Sequence, residues 1–172
     1  MDIYYTIDEK YLQAVEEYQY GESPKSLQLL NEIIAADPLY ARAYFQLGLI
    51  NYYELKDYQQ AGYCFKTCNE LEPAFPDVYE HYIHLLAFLN MDKNLNTIKA
   101  KALQTPGVDY ATIWNMLGEY AEKNKDLTQA RKCYEEAFAV VTINKEMDDI
   151  EESIKRVAIK QQRTAPYFYS IS

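Results

Sequence analysis

The chain has 172 residues, of which 49% are hydrophobic and only five are Gly and six Pro, enough to close one core and too few chain-breakers for a long low-complexity linker. Lys and Arg number 17 against 26 Asp and Glu, a net charge of −9, which repels nucleic acid and anionic lipid at long range. The start, Met1-Asp2-Ile3-Tyr4-Tyr5, has no basic stretch followed by an apolar one, and no run approaches about 18 apolar residues, so neither secretion nor membrane spanning is expected.

In residues 7–40, Tyr11, Ala14, Val15 and Tyr18 fall at helical spacing. A turn follows at Gly21, and Pro24 opens a second helix with Leu27, Leu30, Ile33 and Ile34 on one face, ending at Pro38. Much of the acidic excess lies in residues 1–40, where Asp2, Asp8, Glu9, Glu16, Glu17, Glu22, Glu32 and Asp37 face only Lys10 and Lys25, which would steer a basic partner. Residues 41–56 carry Tyr44, Leu47, Gly48 and Ile50 on one stripe. Asp57 is placed to cap the next helix, which carries Ala61, Phe65, Cys68 and Leu71 before Pro73 closes the unit. Residues 76–90 repeat the pattern with Tyr79, Tyr82, Ile83, Leu86 and Leu89, and Asn94 to Leu103 form the return helix, stopped by Pro106. The clearest pair is 111–123 and 127–141, with Asp126 as the cap between them. A last helix over about 145–163 has Met147, Ile150, Ile154 and Val157 on one stripe, and Glu151–Lys155 and Glu152–Arg156 as supporting pairs. Its acidic start and basic end suit the helix dipole.

An aromatic recurs at a step of 35 residues: Tyr44, Tyr79, Trp114. Such a period marks stacked supersecondary units, because one short unit cannot bury its apolar face alone. Gly costs about 1 kcal/mol inside a helix, so Gly48 and Gly118, at matching places, predict helices in contact with no room for a side chain. Ala61 and Ala130 are the expected facing residues. The third unit has Ile83 instead of Gly, and its pair is expected to splay wider.

Two stretches, Trp114-x2-Leu117-Gly118 with Ala130-x3-Tyr134-x2-Ala137, and Tyr44-x2-Leu47-Gly48 with Ala61-x3-Phe65-x2-Cys68, resemble tetratricopeptide repeats. The resemblance implies an all-α, right-handed α-solenoid of about four antiparallel helix pairs plus a C-terminal capping helix. Residues 1–172 then form a single domain: a degenerate repeat at 7–40, a repeat at 41–75, a degenerate one at 76–108, a repeat at 109–142, the capping helix at 144–163 and a tail at 164–172. The tail is aromatic and too short for another repeat, either frayed or docked as an extended strand.

In that family the first helix of each pair lines a concave groove. Carried over, the groove residues are Phe45, Gln46, Leu49, Tyr52 and Tyr53 in the second unit; Glu80, His81, His84 and Phe88 in the third; and Asn115, Met116 and Glu119 in the fourth. Helical spacing alone puts Phe45, Leu49 and Tyr52 on one face, apart from Tyr44, Leu47 and Gly48. The implied function is a non-catalytic interaction module for a peptide or protein bearing aromatic or apolar anchors and basic residues. A dedicated chaperone for an export substrate, or a subunit that self-associates through Phe45, Leu49 and Tyr52, are the alternatives. The lysine-, asparagine- and arginine-based clamp that some family members use for chaperone tails is missing, its places being taken by Tyr11, Val15, Gln46, Thr112 and Met116.

Glu80, His81 and His84 share a helix face, but His81 and His84 are the only histidines and neither an H-E-x-x-H pattern nor a Cys pair at matching spacing accompanies them, so no metal or cofactor is expected. No nucleophile elbow, phosphate loop or dinucleotide fingerprint points to an enzyme. Cys64 and Cys133 occupy equivalent places and Cys68 a small buried slot, all read as packing residues. Their odd number, and the four-residue separation of Cys64 and Cys68 within a helix, fit a reducing cytoplasm.

Overall fold

A computed structural model describes residues 6–164. Every element among the described residues is helical: α1 (Ile7–Tyr20), α2 (Ser23–Ala36), α3 (Ala41–Leu49), α4 (Tyr58–Leu71), α5 (Asp77–Phe88), α6 (Asp92–Ala102), α7 (Tyr110–Lys123), α8 (Leu127–Val140) and α9 (Asn144–Thr164). Helix α3 runs on without interruption into a π-helical segment, Ile50–Leu55. The chain divides into two compact units, Met1–Val108 and Asp109–Ser172, between the repeats expected at 76–108 and 109–142. The tail expected after α9 lies outside the described residues.

In the first unit α1–α2, α3–α4 and α5–α6 are antiparallel pairs. Thr6 caps α1 in a reciprocal box: the Glu9 N–H donates to Thr6 Oγ1 at 3.2 Å and the Thr6 N–H to Glu9 Oε2 at 2.8 Å. Ser26, fully buried, ties α2 to α1 by donating to the Ala14 carbonyl at 2.7 Å. Around that contact Ala14, Leu30, Ile33, Ala43, Leu47, Ile50 and Cys64 form one core. Asp57 and Asp126 cap α4 and α8 as their positions predict, accepting from Gln60 and Gln129 N–H groups at 3.0 Å.

The signature tyrosines have a second role besides burial. Tyr44 donates its hydroxyl to the Pro38 carbonyl at 3.1 Å, and Tyr79 donates to the Pro73 carbonyl at 2.6 Å. The proline that closes one repeat therefore anchors the aromatic that opens the next.

Gly48 and Gly118 do mark close approach, but the partner is a ring rather than the expected alanine. A Cβ on Gly48 would run into the Phe65 ring, and one on Gly118 would lie 2.6 Å from the Tyr134 ring. Ala61 and Ala130, each one turn before its ring, are fully buried and complete the packing. In the third pair the volume is exchanged between helices: Ile83 is fully buried, and Lys99 stands where the other units have the ring. Helices α5 and α6 touch least of the four pairs and, at 12 and 11 residues, are shorter than the 14-residue helices of the first and fourth pairs.

In the second unit α9 packs on α7 and α8. Ile150 and Val157 are buried, and Met147 and Ile154 pack with them against a core that includes Ala111, Tyr134 and Ala137, with Trp114 at its margin. Glu151 and Lys155 pair at 2.7 Å as expected. Arg156 does not pair with Glu152. It reaches Glu122 on α7 through two nitrogens, at 2.9 and 2.8 Å, while Lys160 reaches the same carboxylate at 2.7 Å and Tyr134 donates to it at 2.8 Å. A partly buried carboxylate with three donors attracts the guanidinium more strongly than an exposed carboxylate one turn away. These contacts, Arg156 foremost, hold the Glu122 carboxyl down at about 2.

Candidate partner-binding surface

The residues expected to line a groove in the first unit do gather along α3, its π-helical extension and α5, in two strata. Phe45 and Tyr52 are only 8% and 5% exposed and belong to the interior. The Phe45 ring meets Phe75 edge-on at 5.1 Å and lies 5.8 Å from the His81 ring; Tyr52 packs on Tyr53, Tyr58, His84 and Phe88. Gln46 is buried as well, and its amide nitrogen has no hydrogen-bond partner. Above them Tyr53, Glu80, His84 and Phe88 are exposed, with Leu49 and His81 half-buried. The expectation of an open wall carried by Phe45, Leu49 and Tyr52 is thus revised for Phe45 and Tyr52. The facing helix α5 brings its own rings over them, a long-range packing choice that helical spacing does not encode.

Two matched hydrogen bonds fasten the wall. Tyr52 Oη and His84 Nδ1 lie 2.7 Å apart, and Tyr53 Oη and His81 Nδ1 lie 2.9 Å apart. Consecutive residues on an α-helix diverge too far for both to meet one neighbouring helix squarely. The π-helical segment is wider and turns less per residue, so Tyr52 and Tyr53 both reach α5. Burial raises the Tyr52 hydroxyl to about 12 and lowers His81 from its ordinary value, so both groups stay neutral near pH 7. With each Nδ1 engaged by a phenol, the two imidazoles are held in fixed orientation.

The sequence signal for the π segment is a count. Gly118 to Ala130 is 12 residues, whereas Gly48 to Ala61 is 13. The turn closures register the same difference: the Asp126 N–H donates to the Ala121 carbonyl five residues back, and the Asp57 N–H to the Asn51 carbonyl six back, both at 2.9 Å. Lys125 and Lys56 take the left-handed conformation in the two turns, at φ 64° and 57°. One extra residue has been absorbed in the helix ahead of a conserved turn geometry.

In the second unit Asn115 and Met116 are half-buried and Glu119 is exposed, with the Asn115 amide donating to Glu119 at 3.1 Å. A small cleft of about 130 Å³ beside Asn115 is walled by Glu146, Asp149 and Ile150 of α9. The three cysteines are buried and form no disulfide with one another, and burial raises Cys64 to about 11 and Cys68 to about 12. Gln60 and Gln129 make the same amide-to-sulfur contact with Cys64 and Cys133, at 3.9 and 3.2 Å. Among the described residues no three or more His, Cys, Asp or Glu side chains converge on one point, and no helix is long and apolar enough to cross a membrane.

The tetratricopeptide repeat family profile matches residues 41–75 and 111–140, the two segments in which an interior glycine receives a ring. These two segments match the tetratricopeptide repeat. MamA from Desulfovibrio magneticus RS-1, residues 41 to the end, superposes with a TM-score of 0.67 at 14% identity, over 93% of this chain and 97% of that one. PilW, a widely conserved type IV pilus biogenesis factor, superposes with a TM-score of 0.54 at 13% identity over 94% of each chain. Likeness at such identities is likeness of fold, here the tetratricopeptide-repeat α-solenoid. No curated protein matches the chain by sequence.

Proposed function

We propose that the chain is a non-catalytic, cytoplasmic interaction module that binds a peptide or protein segment on the α3–α5 wall of its first unit. The observation that carries this reading is the exposed row Tyr53, His84 and Phe88, flanked by half-buried Leu49 and His81 and braced by the two tyrosine–histidine hydrogen bonds. Side chains already held by their neighbours lose little rotamer freedom when a ligand arrives, and aromatic rings supply large contact area. Glu80 raises the Tyr53 hydroxyl after burial does, placing negative charge beside that ring. The partner it favours has a Lys or Arg next to an apolar or aromatic anchor. Phe45, Tyr52 and Gln46 support the wall from within, and Asn115, Met116 and Glu119 offer a separate, more polar contact surface on α7.

The test is selection of short peptides from a displayed library, with affinities then read by fluorescence polarisation. Enriched peptides should carry a basic residue beside an apolar one. The Tyr53→Ala, Phe88→Ala double variant should weaken them by at least about tenfold while its far-ultraviolet circular dichroism is unchanged. Failure to enrich any saturable binder, or affinity indifferent to the double change, would remove the wall from consideration.

A further inference from the structure

The second unit contains a cleft of opposite electrostatic character. It measures about 790 Å³, and its lining holds Lys125, Leu127, Lys160 and Arg163 together with two carboxylates, Glu122 and Asp126. Both carboxylates are engaged, Glu122 by Arg156, Lys160 and Tyr134, and Asp126 by its capping bond to Gln129. Lys125 and Arg163 are exposed and form no ion pair among the described residues. In a chain of net charge −9, residues 153–163 hold four cations and no acid. The cleft therefore brings three cations, Lys125, Lys160 and Arg163, together with the half-buried Leu127, a pairing that suits an acidic segment with an apolar side chain.

The chain itself supplies such a segment. On α1, Glu9, Leu12, Glu16 and Tyr20 fall within one narrow arc of the helix, since positions separated by three, seven and eleven residues nearly coincide after whole turns. Leu12 is 61% exposed and Tyr20 88% exposed, both unusual for large apolar side chains on an amphipathic helix. Among the described residues no cation pairs with the Glu16 carboxylate, unlike Glu17, which Lys25 neutralises, and Glu32, which Lys10 holds at 2.9 Å. Acid and apolar residues thus alternate along an uncovered stripe.

We propose that the α1 stripe of one copy seats in the basic cleft of a second copy, so that the chain self-associates through two unlike surfaces. Leu12 or Tyr20 lies on Leu127, and Glu9 and Glu16 face Lys125 and Arg163. Unlike surfaces make a heterologous contact, which propagates into a ring or an open-ended assembly rather than stopping at a two-fold dimer. The wall on α3 and α5 takes no part in this contact and remains for other ligands.

Sedimentation velocity of the full chain at about 50 mM salt should show association that grows with concentration and weakens about tenfold or more at about 500 mM, where screening shortens the reach of charge. Two variants break opposite halves: Leu12→Arg with Glu16→Arg on the stripe, and Lys125→Glu with Arg163→Glu in the cleft. Each should be monomeric alone, with the melting temperature of the parent. Mixed in equal amounts they should associate again, because each keeps the half the other lacks. A parent that stays monomeric at low salt, variants that associate like the parent, or a mixture that stays monomeric would each overturn the proposal. So would an acidic, leucine-containing peptide that saturates the cleft while the parent remains monomeric, since the occupant would then be foreign.

Discussion

The repeats at 41–75 and 111–140 follow one plan and diverge at two points. Both press a ring against an interior glycine, cap the return helix with Asp, place a left-handed Lys before that cap and seat a cysteine beneath a glutamine. In the first repeat the ring is Phe65, which stacks with His81, and the helix before it carries one extra residue as a π-helical segment. In the second the ring is Tyr134, whose hydroxyl is committed to Glu122 and through it to α9. The same scaffold slot thus supports the aromatic wall of α3 and α5 in one case and the anchorage of a terminal helix in the other. A fold-defining position can be kept for packing while its polar extension is reassigned.

The shared feature should be the most sensitive. Gly48→Ala or Gly118→Ala forces a methyl into a ring and should each cost about 1–3 kcal/mol in urea denaturation. Combining Gly48→Ala with Phe65→Leu should cost less than the two changes summed, because they touch the same space.

Glu122→Gln, specific to the second repeat, should cost about 2 kcal/mol after allowance for the half-exposed cations. Its pH signature follows from the sign of the shift. The folded carboxyl sits near 2, below its unfolded range of about 4.3, so its contribution is complete above that range and is lost as pH falls toward 2. The parent should therefore lose stability between pH 5 and pH 2 more steeply than Glu122→Gln, by about the same amount.

Deleting Glu54 should restore the 12-residue spacing in the first repeat and return the π segment to α-helix. One of the two tyrosine–histidine bonds should then be lost, at about 1 kcal/mol, visible as a change in the imidazole ¹⁵N shift of His81 or His84 but not both. The smallest effect concerns His81, whose folded pKa is lowered by burial. Stability attributable to it is full above its unfolded value of about 6.5 and declines as pH falls below that. Replacing His81 by Phe should flatten this slope, as read from melting curves between pH 7 and 5.

Helix spans, caps and the two tight glycines were legible because each is a local pattern: a period, a proline, an Asp one residue before a stripe. The capping box at Thr6 and Glu9 and the 13-residue spacing before Ala61 were equally local and were visible to a count. The ring facing each glycine could be narrowed only to the next helix, since Ala61 and Phe65 are one turn apart and both face inward. Burial of Phe45 and Tyr52 and the convergence of Arg156 and Lys160 on Glu122 depend on residues about 30 or more positions away. Nothing in the spacing of one helix reports what another lays across it.

The bond from each opening tyrosine to the preceding proline carbonyl bears on where a repeat begins. A segment excised at Ala41 or Asp77 would carry a phenol away from its acceptor, whereas one excised at Pro38 or Pro73 would keep it. For grafting or shuffling such modules, the inherited unit starts at the proline.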